Sequence, residues 1–150
     1  MRHVVIAGGT GLVGREVIRL LHDRTDVSAT ALVRRTGTVS RLSDRVREVA
    51  FDFDDPGAYQ RVGEDLPCEV FLCCLGTTLK RAGSPEAFAK VDRDYPVSFM
   101  HRLLALDPKP VFGVISSAGA AQPRGLYLRT KAEMEKALFE SGLPYVILRP

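Results

Sequence analysis

The sequence predicts an α/β fold, a single domain built around a mainly parallel β-sheet. Three observations predict it. A chain of 150 residues with 45% hydrophobic and 26% charged residues can bury one core of ordinary size. Short apolar runs alternate with stretches long enough for crossover helices. The run at residues 70–75 is apolar throughout, as expected of a strand that is buried on both faces.

Six strands are predicted from apolar and β-branched runs. They cover residues 4–6, 29–33, 46–51, 70–75, 111–115 and 145–148. No repeat, low-complexity tract or linker interrupts this pattern, so we predict one domain over residues 1–150. Because the chain stops directly after the sixth run, with no residues left to cover that strand, we expect it to be a fragment of a longer protein.

Four helical regions are predicted between the strands. The first follows a glycine-rich turn and places its apolar residues on one face: Val13, Val17, Leu20 and Leu21. Asp55-Pro56 and Ser84-Pro85 each put a capping side chain before proline, which predicts helices near 56–62 and 85–91. The latter is expected to continue or restart up to about residue 106. The last helix, near 128–140, should end before Gly142.

Charge and cysteine content exclude several classes of protein. The net charge is +3 and the basic residues are scattered, which argues against a nucleic-acid-binding surface. The longest apolar run is far shorter than the roughly 20 residues needed to cross a membrane. Cys68, Cys73 and Cys74 lack the paired spacing of a metal site, so no metal is expected. Their odd number and the lack of a secretory leader predict a cytoplasmic protein.

A glycine-rich loop joins the first strand to the first helix. Gly8, Gly11 and Gly14 would make a tight turn, allow a pyrophosphate to approach the backbone, and allow the helix to pack on the strand. The helix N-terminus would then face the phosphates. The residues assigned to this cradle are Gly8, Thr10, Gly11, Leu12, Val13 and Gly14.

The second strand ends in Arg34 and Arg35, where a dinucleotide site often has an acidic residue for the ribose hydroxyls. A guanidinium can bind a ribose 2′-phosphate, which a carboxylate would repel, so NADP(H) is predicted. The alternative is that both arginines are merely solvated.

Two further segments are assigned to the cofactor. Asp52, followed by Phe53, could accept a hydrogen bond from the adenine amino group, although helix-entry chemistry is an equal alternative. The segment Leu75, Gly76 and Thr77 follows the fourth strand and is expected beside the nicotinamide ribose, unless it is an ordinary polar loop.

A serine pair and a tyrosine–lysine pair form the candidate catalytic set. Ser116 and Ser117 end the fifth strand, and Tyr127 and Lys131 stand four residues apart on the last helix. That spacing puts both side chains on one face, where the ammonium favours ionisation of a phenol that otherwise titrates near pH ~10. Ser117 would hold a substrate carbonyl while Tyr127 protonates it. Ser117 is preferred over Ser116, which we assign to the cofactor with Tyr127 and Lys131.

These motifs, in this order, resemble the short-chain dehydrogenase/reductase superfamily in its extended or atypical branch. The chain also resembles the group of NADPH-binding proteins related to the HIV Tat-interacting oxidoreductase. The residues that carry this second resemblance are 76–78, 80–84, 88, 91–95, 127–128 and 148–150. The resemblance implies that residues 1–150 are an NAD(P)-binding domain with a doubly wound, three-layer Rossmann fold of strand order 3-2-1-4-5-6. It also implies NADP(H) binding, the catalytic set Ser117, Tyr127 and Lys131, and a smaller substrate-side segment after Pro150.

The sequence favours an NADP(H)-dependent oxidoreductase acting on a small carbonyl or alcohol. An NADP(H)-sensing regulator without turnover, as among NmrA-like relatives, is a second hypothesis, and an epimerase or dehydratase is a third. Retention of both Tyr127 and Lys131 argues for chemistry. A homodimer or a regulatory protein partner stays open.

Overall fold

The computed structural model describes all 150 residues and contains one six-stranded sheet in the order β3-β2-β1-β4-β5-β6. The recorded strand pairs are parallel, and helices flank the sheet. The predicted Rossmann-type α/β fold is thereby confirmed. The strands are β1 (Arg2–Ala7), β2 (Val27–Val33), β3 (Val46–Ala50), β4 (Val70–Cys73), β5 (Val111–Ile115) and β6 (Tyr145–Leu148).

The helices are α1 (Leu12–His22), α2 (Arg61–Glu64), α3 (Leu79–Ala82), α4 (Pro85–Ala89), α5 (Tyr95–Leu104) and α6 (Gly125–Ser141). Two 3-10 turns cover Pro56–Gln60 and Ala118–Ala121, and a π-helical segment covers Lys90–Asp94. Each predicted proline-led helix begins where expected. The side chains of Asp55 and Ser84 accept the backbone N–H groups of Gly57 at 2.9 Å and Ala87 at 3.1 Å.

One helical region differs from the prediction. The helix expected at 56–62 is a 3-10 turn over Pro56–Gln60, and the helical backbone is broken where Val62 takes an extended conformation and Gly63 a φ of 88°. Burial of Val62 and its bridge to Leu66 outweigh continuation of the helix. The helix that starts at Pro85 continues, as one of its two predicted alternatives has it: the π-helical segment leads directly into α5, which ends at Leu104.

The chain divides into two compact units, which we name the N-terminal unit (Met1–Cys74) and the C-terminal unit (Leu75–Pro150). In the N-terminal unit, β1 pairs with both β2 and β4, and β2 pairs with β3. Its core combines α1 and strand residues with one loop residue, Val39: Val4, Ile6, Ile18, Ala29, Ala31, Val33, Val39 and Val46. The assignment of the whole chain to one domain stays a prediction.

In the C-terminal unit, β5 pairs with β6, and α5 packs against α6. The apolar residues of α5 are used in the interior, since Phe99, Met100 and Leu103 are all buried. Met134 and Leu138 of α6 are buried as well, as their helical spacing predicts. None of the helices combines the length and apolar character that crossing a bilayer requires.

Candidate functional site

The glycine loop of the N-terminal unit adopts a turn that larger residues could not form. Gly8 has a φ of 84°, and its carbonyl oxygen accepts the N–H of Gly11 at 3.2 Å. A Cβ at Gly14 would lie 2.1 Å from that same oxygen, far inside van der Waals contact. A Cβ at Gly9 would lie 2.8 Å from Cδ1 of Ile18. The spacing of these glycines therefore follows from the close approach of α1 to the turn.

No side chain caps the first turn of α1. Gly11 precedes the helix without a side-chain cap, and the first turn contains no acidic residue. The N–H groups of residues 12–14 thus lack intrahelical acceptors. Leu12 is 90% exposed. An open helix N-terminus with free N–H groups suits a phosphate, so these residues fit the pyrophosphate of a dinucleotide.

Arg34 and Arg35 directly follow β2, and both are exposed. Neither guanidinium group makes a hydrogen bond or an ion pair within the chain. Two exposed cations without a counter-charge are available to an anionic ligand.

Asp52 and Phe53 differ in how open they are to a ligand. Asp52 is exposed, and its Oδ1 accepts the N–H of Asp54 at 2.9 Å, which is the local turn role of the alternative interpretation. Phe53 is buried, with its ring 5.0 Å from that of Phe51, and its carbonyl oxygen accepts the hydroxyl of Tyr59 at 2.8 Å.

In the C-terminal unit, the segment after Cys74 is anchored to a carboxylate that the sequence analysis did not single out. The N–H of Thr77 donates to Oδ2 of Asp92 at 3.0 Å, and a Cβ at Gly76 would lie 3.6 Å from Oδ1 of Asp92. Asp92 belongs to the π-helical segment and is only 1% exposed. A buried carboxylate therefore holds the segment of Leu75, Gly76 and Thr77, and its place beside the nicotinamide ribose stays a prediction.

Asp92 also contacts the candidate catalytic lysine. Nζ of Lys131 lies 2.9 Å from Oδ1 of Asp92, and the two side chains are 5% and 1% exposed. The contact is ionic, since no hydrogen-bond donor is well aligned with that oxygen. Nζ lies 5.9 Å from the centre of the Tyr127 ring, at the limit of a cation–π contact. Lys131 thus joins Tyr127 and Asp92 in one group.

Tyr127 is the accessible member of that group. Its side chain is 46% exposed, its ring centre lies 5.9 Å from that of Phe88, and its hydroxyl has no partner within the chain. Phe88 is buried and limits the movement of the ring. The Tyr127 ring thus packs against Phe88, while its hydroxyl is accessible to a ligand.

The two serines are in different environments. Ser116 is buried, and its Oγ has no aligned hydrogen-bond partner. Ser117 is half-buried at the start of the 3-10 turn Ala118–Ala121, and its side chain makes no capping bond. Ser117 is therefore the more accessible hydroxyl.

Glu135 of α6 is a second buried charge, and it is paired with Arg149. Both carboxylate oxygens of Glu135 accept from Arg149, at 2.9 Å from Nε and 2.6 Å from a terminal nitrogen. The hydrogen bonds from Arg149, opposed by burial, hold the pKa of Glu135 below its usual range. This pair ties α6 to the residue that follows β6.

A signal for both missed carboxylates exists in the sequence. Asp92 stands four residues after Phe88 and seven before Phe99, which places it on the apolar face of its helical run. Glu135 stands one turn after Lys131. A charged residue on a face that is otherwise buried indicates a buried partner.

The three cysteines form no disulfide. Burial raises the pKa of Cys68 to about 12 and that of Cys74 to about 11. Such thiols are unreactive at neutral pH, because the thiolate is the nucleophile. No group of three metal-ligating side chains occurs in the chain.

Comparison with known proteins identifies the family. Residues 8–150 match the model of the NAD(P)H-binding family, and the chain belongs to it. It is 31% identical over 151 residues to "Protein FMP52, mitochondrial" of Candida albicans, which covers 97% of this chain and 64% of the relative. It is 30% identical over 144 residues to "Protein HTATIP2" of Rattus norvegicus, which covers 93% of this chain and 57% of the relative. The resemblance to the Tat-interacting group is confirmed.

A solved structure with the same fold is the UDP-Glc/GlcNAc 4-epimerase of Campylobacter jejuni, with a TM-score of 0.83 and 15% identity. The match covers 99% of this chain and 53% of that one, and at this identity it shows the fold alone. The chain spans less than two thirds of the length of both curated relatives.

The prediction of a cytoplasmic location is wrong. Several fungal relatives are named as mitochondrial proteins. The inference failed because unpaired cysteines indicate only a reducing environment, which is not specific to the cytoplasm.

Proposed function

We propose that this member of the NAD(P)H-binding family is an NADP(H)-dependent oxidoreductase acting on a small carbonyl or alcohol. The observation that carries the proposal is the group of Tyr127, Lys131 and Asp92: an accessible phenol beside a buried ammonium that is held by a buried carboxylate. A protein that only senses a dinucleotide needs no such group.

The N-terminal unit would hold the adenosine and pyrophosphate of the cofactor. The open N-terminus of α1 takes the pyrophosphate, and Arg34 and Arg35 take the ribose 2′-phosphate. Both arginines are exposed and free of internal partners, which supports a phosphate as their partner. When bound, NADP(H) supplies or accepts the hydride.

The C-terminal unit would hold the carbonyl and supply the proton. Ser117 donates a hydrogen bond to the carbonyl oxygen, and the Tyr127 hydroxyl gives its proton to the same oxygen as it gains negative charge. The ammonium of Lys131 stabilises the tyrosinate that is left. Asp92 keeps that ammonium in place and anchors the backbone of Thr77.

The choice between NADPH and NADH is tested by thermal shift on the 150-residue chain. A ligand at 100 times its dissociation constant stabilises a fold by about 2.7 kcal/mol. We expect the larger shift with NADPH. Replacing both Arg34 and Arg35 by Ala should weaken NADPH binding about 10- to 100-fold, by the loss of charge-assisted hydrogen bonds. NADH binding should stay unchanged, and the exposed positions should leave the melting temperature of the free protein unaltered.

Equal shifts with both cofactors, or a larger one with NADH, would contradict the NADP(H) assignment. Activity is best sought with a panel of small aldehydes and ketones, with NADPH absorbance as the readout. If NADPH binds and changes the affinity of the protein for a partner protein, yet no carbonyl is reduced, the protein is a sensor and the proposed activity is wrong.

A further inference from the structure

One carboxylate holds the loop that follows Arg34 and Arg35. Glu48 lies on β3, and its side chain reaches back to this loop. Its Oε2 accepts the N–H of Gly37, and its Oε1 accepts the N–H groups of Val39 and, at 2.9 Å, Ser40. The hydroxyl of Thr38 adds a longer contact of 3.4 Å. A single side chain thus binds four successive residues of the loop.

This arrangement requires a carboxylate. Burial disfavours the charged form of Glu48, but the hydrogen bonds from the loop backbone outweigh it and hold its pKa below the usual range. The group is therefore ionised at neutral pH. Hydrogen bonds from N–H groups to a carboxylate are about twice as strong as neutral ones, and only a carboxylate offers two oxygens that both accept.

The loop that Glu48 binds is connected to both phosphate-binding features of the N-terminal unit. The hydroxyl of Thr38 donates to the carbonyl oxygen of Arg35 at 3.2 Å. Val39 is fully buried, and its Cγ2 lies 3.6 Å from the position that a Cβ at Gly9 would occupy. The loop therefore contacts the backbone of Arg35 directly through Thr38, whereas it only lies next to the glycine turn, through the buried side chain of Val39.

We propose that Glu48 is a positioning residue that sets the preference for NADPH over NADH. The inference rests on the proposed function, in which Arg34 and Arg35 bind the 2′-phosphate. Because neither guanidinium has an internal partner, its position depends on the backbone that carries it. Glu48 acts on that backbone indirectly: it holds residues 37–40, and Thr38 of that segment donates to the carbonyl oxygen of Arg35. When two guanidinium groups bind one phosphate, an ordered backbone lowers the entropy cost of placing both of them, and so increases the affinity.

The test compares Glu48→Gln with the matched control Glu69→Gln. Glu69 also accepts a backbone N–H in the N-terminal unit, that of His3 at 2.8 Å, but it does not contact the loop. The dissociation constants of NADPH and NADH are measured by titration calorimetry for the wild type and both variants. Glutamine keeps the shape and one accepting oxygen, while its amide group cannot accept the remaining N–H donors.

We expect Glu48→Gln to weaken NADPH binding about tenfold, the equivalent of one charge-assisted hydrogen bond, and to change NADH binding less than about twofold. Amide hydrogen exchange at residues 34–40 should become faster in the free variant. The control should show neither change. A role in stability alone would weaken both cofactors equally or leave both unchanged.

Several results would overturn the inference. If Glu48→Gln leaves the ratio of the NADH and NADPH dissociation constants unchanged, while the wild type prefers NADPH, the positioning role of Glu48 is refuted. The proposed function is not affected by that result. A gain in NADPH affinity would mean that Glu48 acts by repelling the phosphate. If the wild type itself shows no preference for NADPH, the cofactor assignment is wrong, and the role of Glu48 in it fails too.

Discussion

The two units hold their functional charges in opposite ways. In the N-terminal unit, Arg34 and Arg35 are exposed and unpaired. In the C-terminal unit, Lys131 and Glu135 are buried, and each is paired with an opposite charge. Under the proposed function, Arg34 and Arg35 bind a phosphate, and exposed cations can stay hydrated until that ligand binds. The ammonium of Lys131 is buried whether or not a ligand is bound, so it needs its own counter-ion in the interior.

The contrast has a consequence for mutagenesis. Removing an exposed, unpaired charge should change ligand binding and leave folding alone. Removing a buried, paired charge should change folding as well, because its partner is left uncompensated. Variants at Tyr127, Lys131 and Glu135 of the C-terminal unit test this difference, and their expected effects decrease in that order.

Tyr127→Phe should have the largest effect, a loss of kcat of about 10²- to 10⁴-fold, because it removes only the hydroxyl that we propose as the proton donor. The hydroxyl has no partner within the chain, so the melting temperature should be unchanged. The measurement is steady-state reduction of a carbonyl substrate found by screening, together with NADPH affinity, which should stay constant. Full activity in this variant would remove Tyr127 from the mechanism.

Lys131→Met should destabilise the fold by about 3–5 kcal/mol, because it leaves the buried carboxylate of Asp92 without its cation. Adding Asp92→Asn should restore part of that loss, since the double variant has no buried charge at this place. Urea unfolding of the wild type, the two single variants and the double variant forms a complete cycle.

The control for this cycle is Lys136→Met on the same helix. Lys136 pairs with Glu140 at 3.9 Å, but both side chains are well exposed, so the change should be below about 1 kcal/mol. If Lys131→Met costs no more than Lys136→Met, or if the double variant is less stable than either single variant, the paired-charge description of the C-terminal unit is wrong.

The smallest of the three effects concerns Glu135, and it depends on pH. The pKa of this carboxyl is lower in the folded protein, mainly because of its hydrogen bonds from Arg149. The unfolded chain therefore binds the proton more tightly. The stabilisation is complete above the ordinary pKa of glutamate and is lost as the pH falls through the lower, folded pKa.

Glu135→Gln should accordingly cost about 1–2 kcal/mol at pH 7, an amount reduced by the 39% exposure of Arg149. The difference from the wild type should narrow as the pH is lowered from 5 to 3. Denaturant unfolding at several pH values measures it, with the exposed Glu140→Gln as control. A difference that does not vary with pH would show that Glu135 acts through packing and not through its charge.

The strands were predicted well because each depends on a short apolar run. Residues 111–115 and 145–148 match β5 and β6. Where bounds differ, pairing decides: β1 extends to Arg2 and Ala7 because these residues face Val27 and Leu32 of β2. The apolar run at 70–75 outlasts its strand, since the recorded pairs of β4 with β1 end at Cys73.

The helices show where local patterns stop being sufficient. Proline with a capping residue predicted the first residue of two helical segments, because both signals act within one turn. It did not predict the break at Val62 and Gly63 or the π-helical segment before Tyr95. In the first case the cause is the burial of one side chain, which no neighbour in sequence signals.

Within the candidate site, the glycine turn and the pairing of Tyr127 with Lys131 could be predicted from the sequence. Both are local: a turn needs residues without a Cβ, and a helix places positions four apart on one face. The partners of the three carboxylates could not be predicted in this way, because they lie far apart in the sequence. Asp92 lies 39 positions from Lys131, and Glu135 lies 14 from Arg149. Glu48 lies 8–11 positions from the loop it binds.

The amino-acid order thus determined the fold class, the six strands, the glycine turn and the phenol–ammonium pair, since each follows from backbone conformation or helical periodicity over a few residues. The tertiary structure decided which charges are buried and which carboxylate serves each of them. The partner of a charged side chain depends on how distant segments pack. Burial makes that partner obligatory, because an unpaired charge in the interior costs several kcal/mol or more.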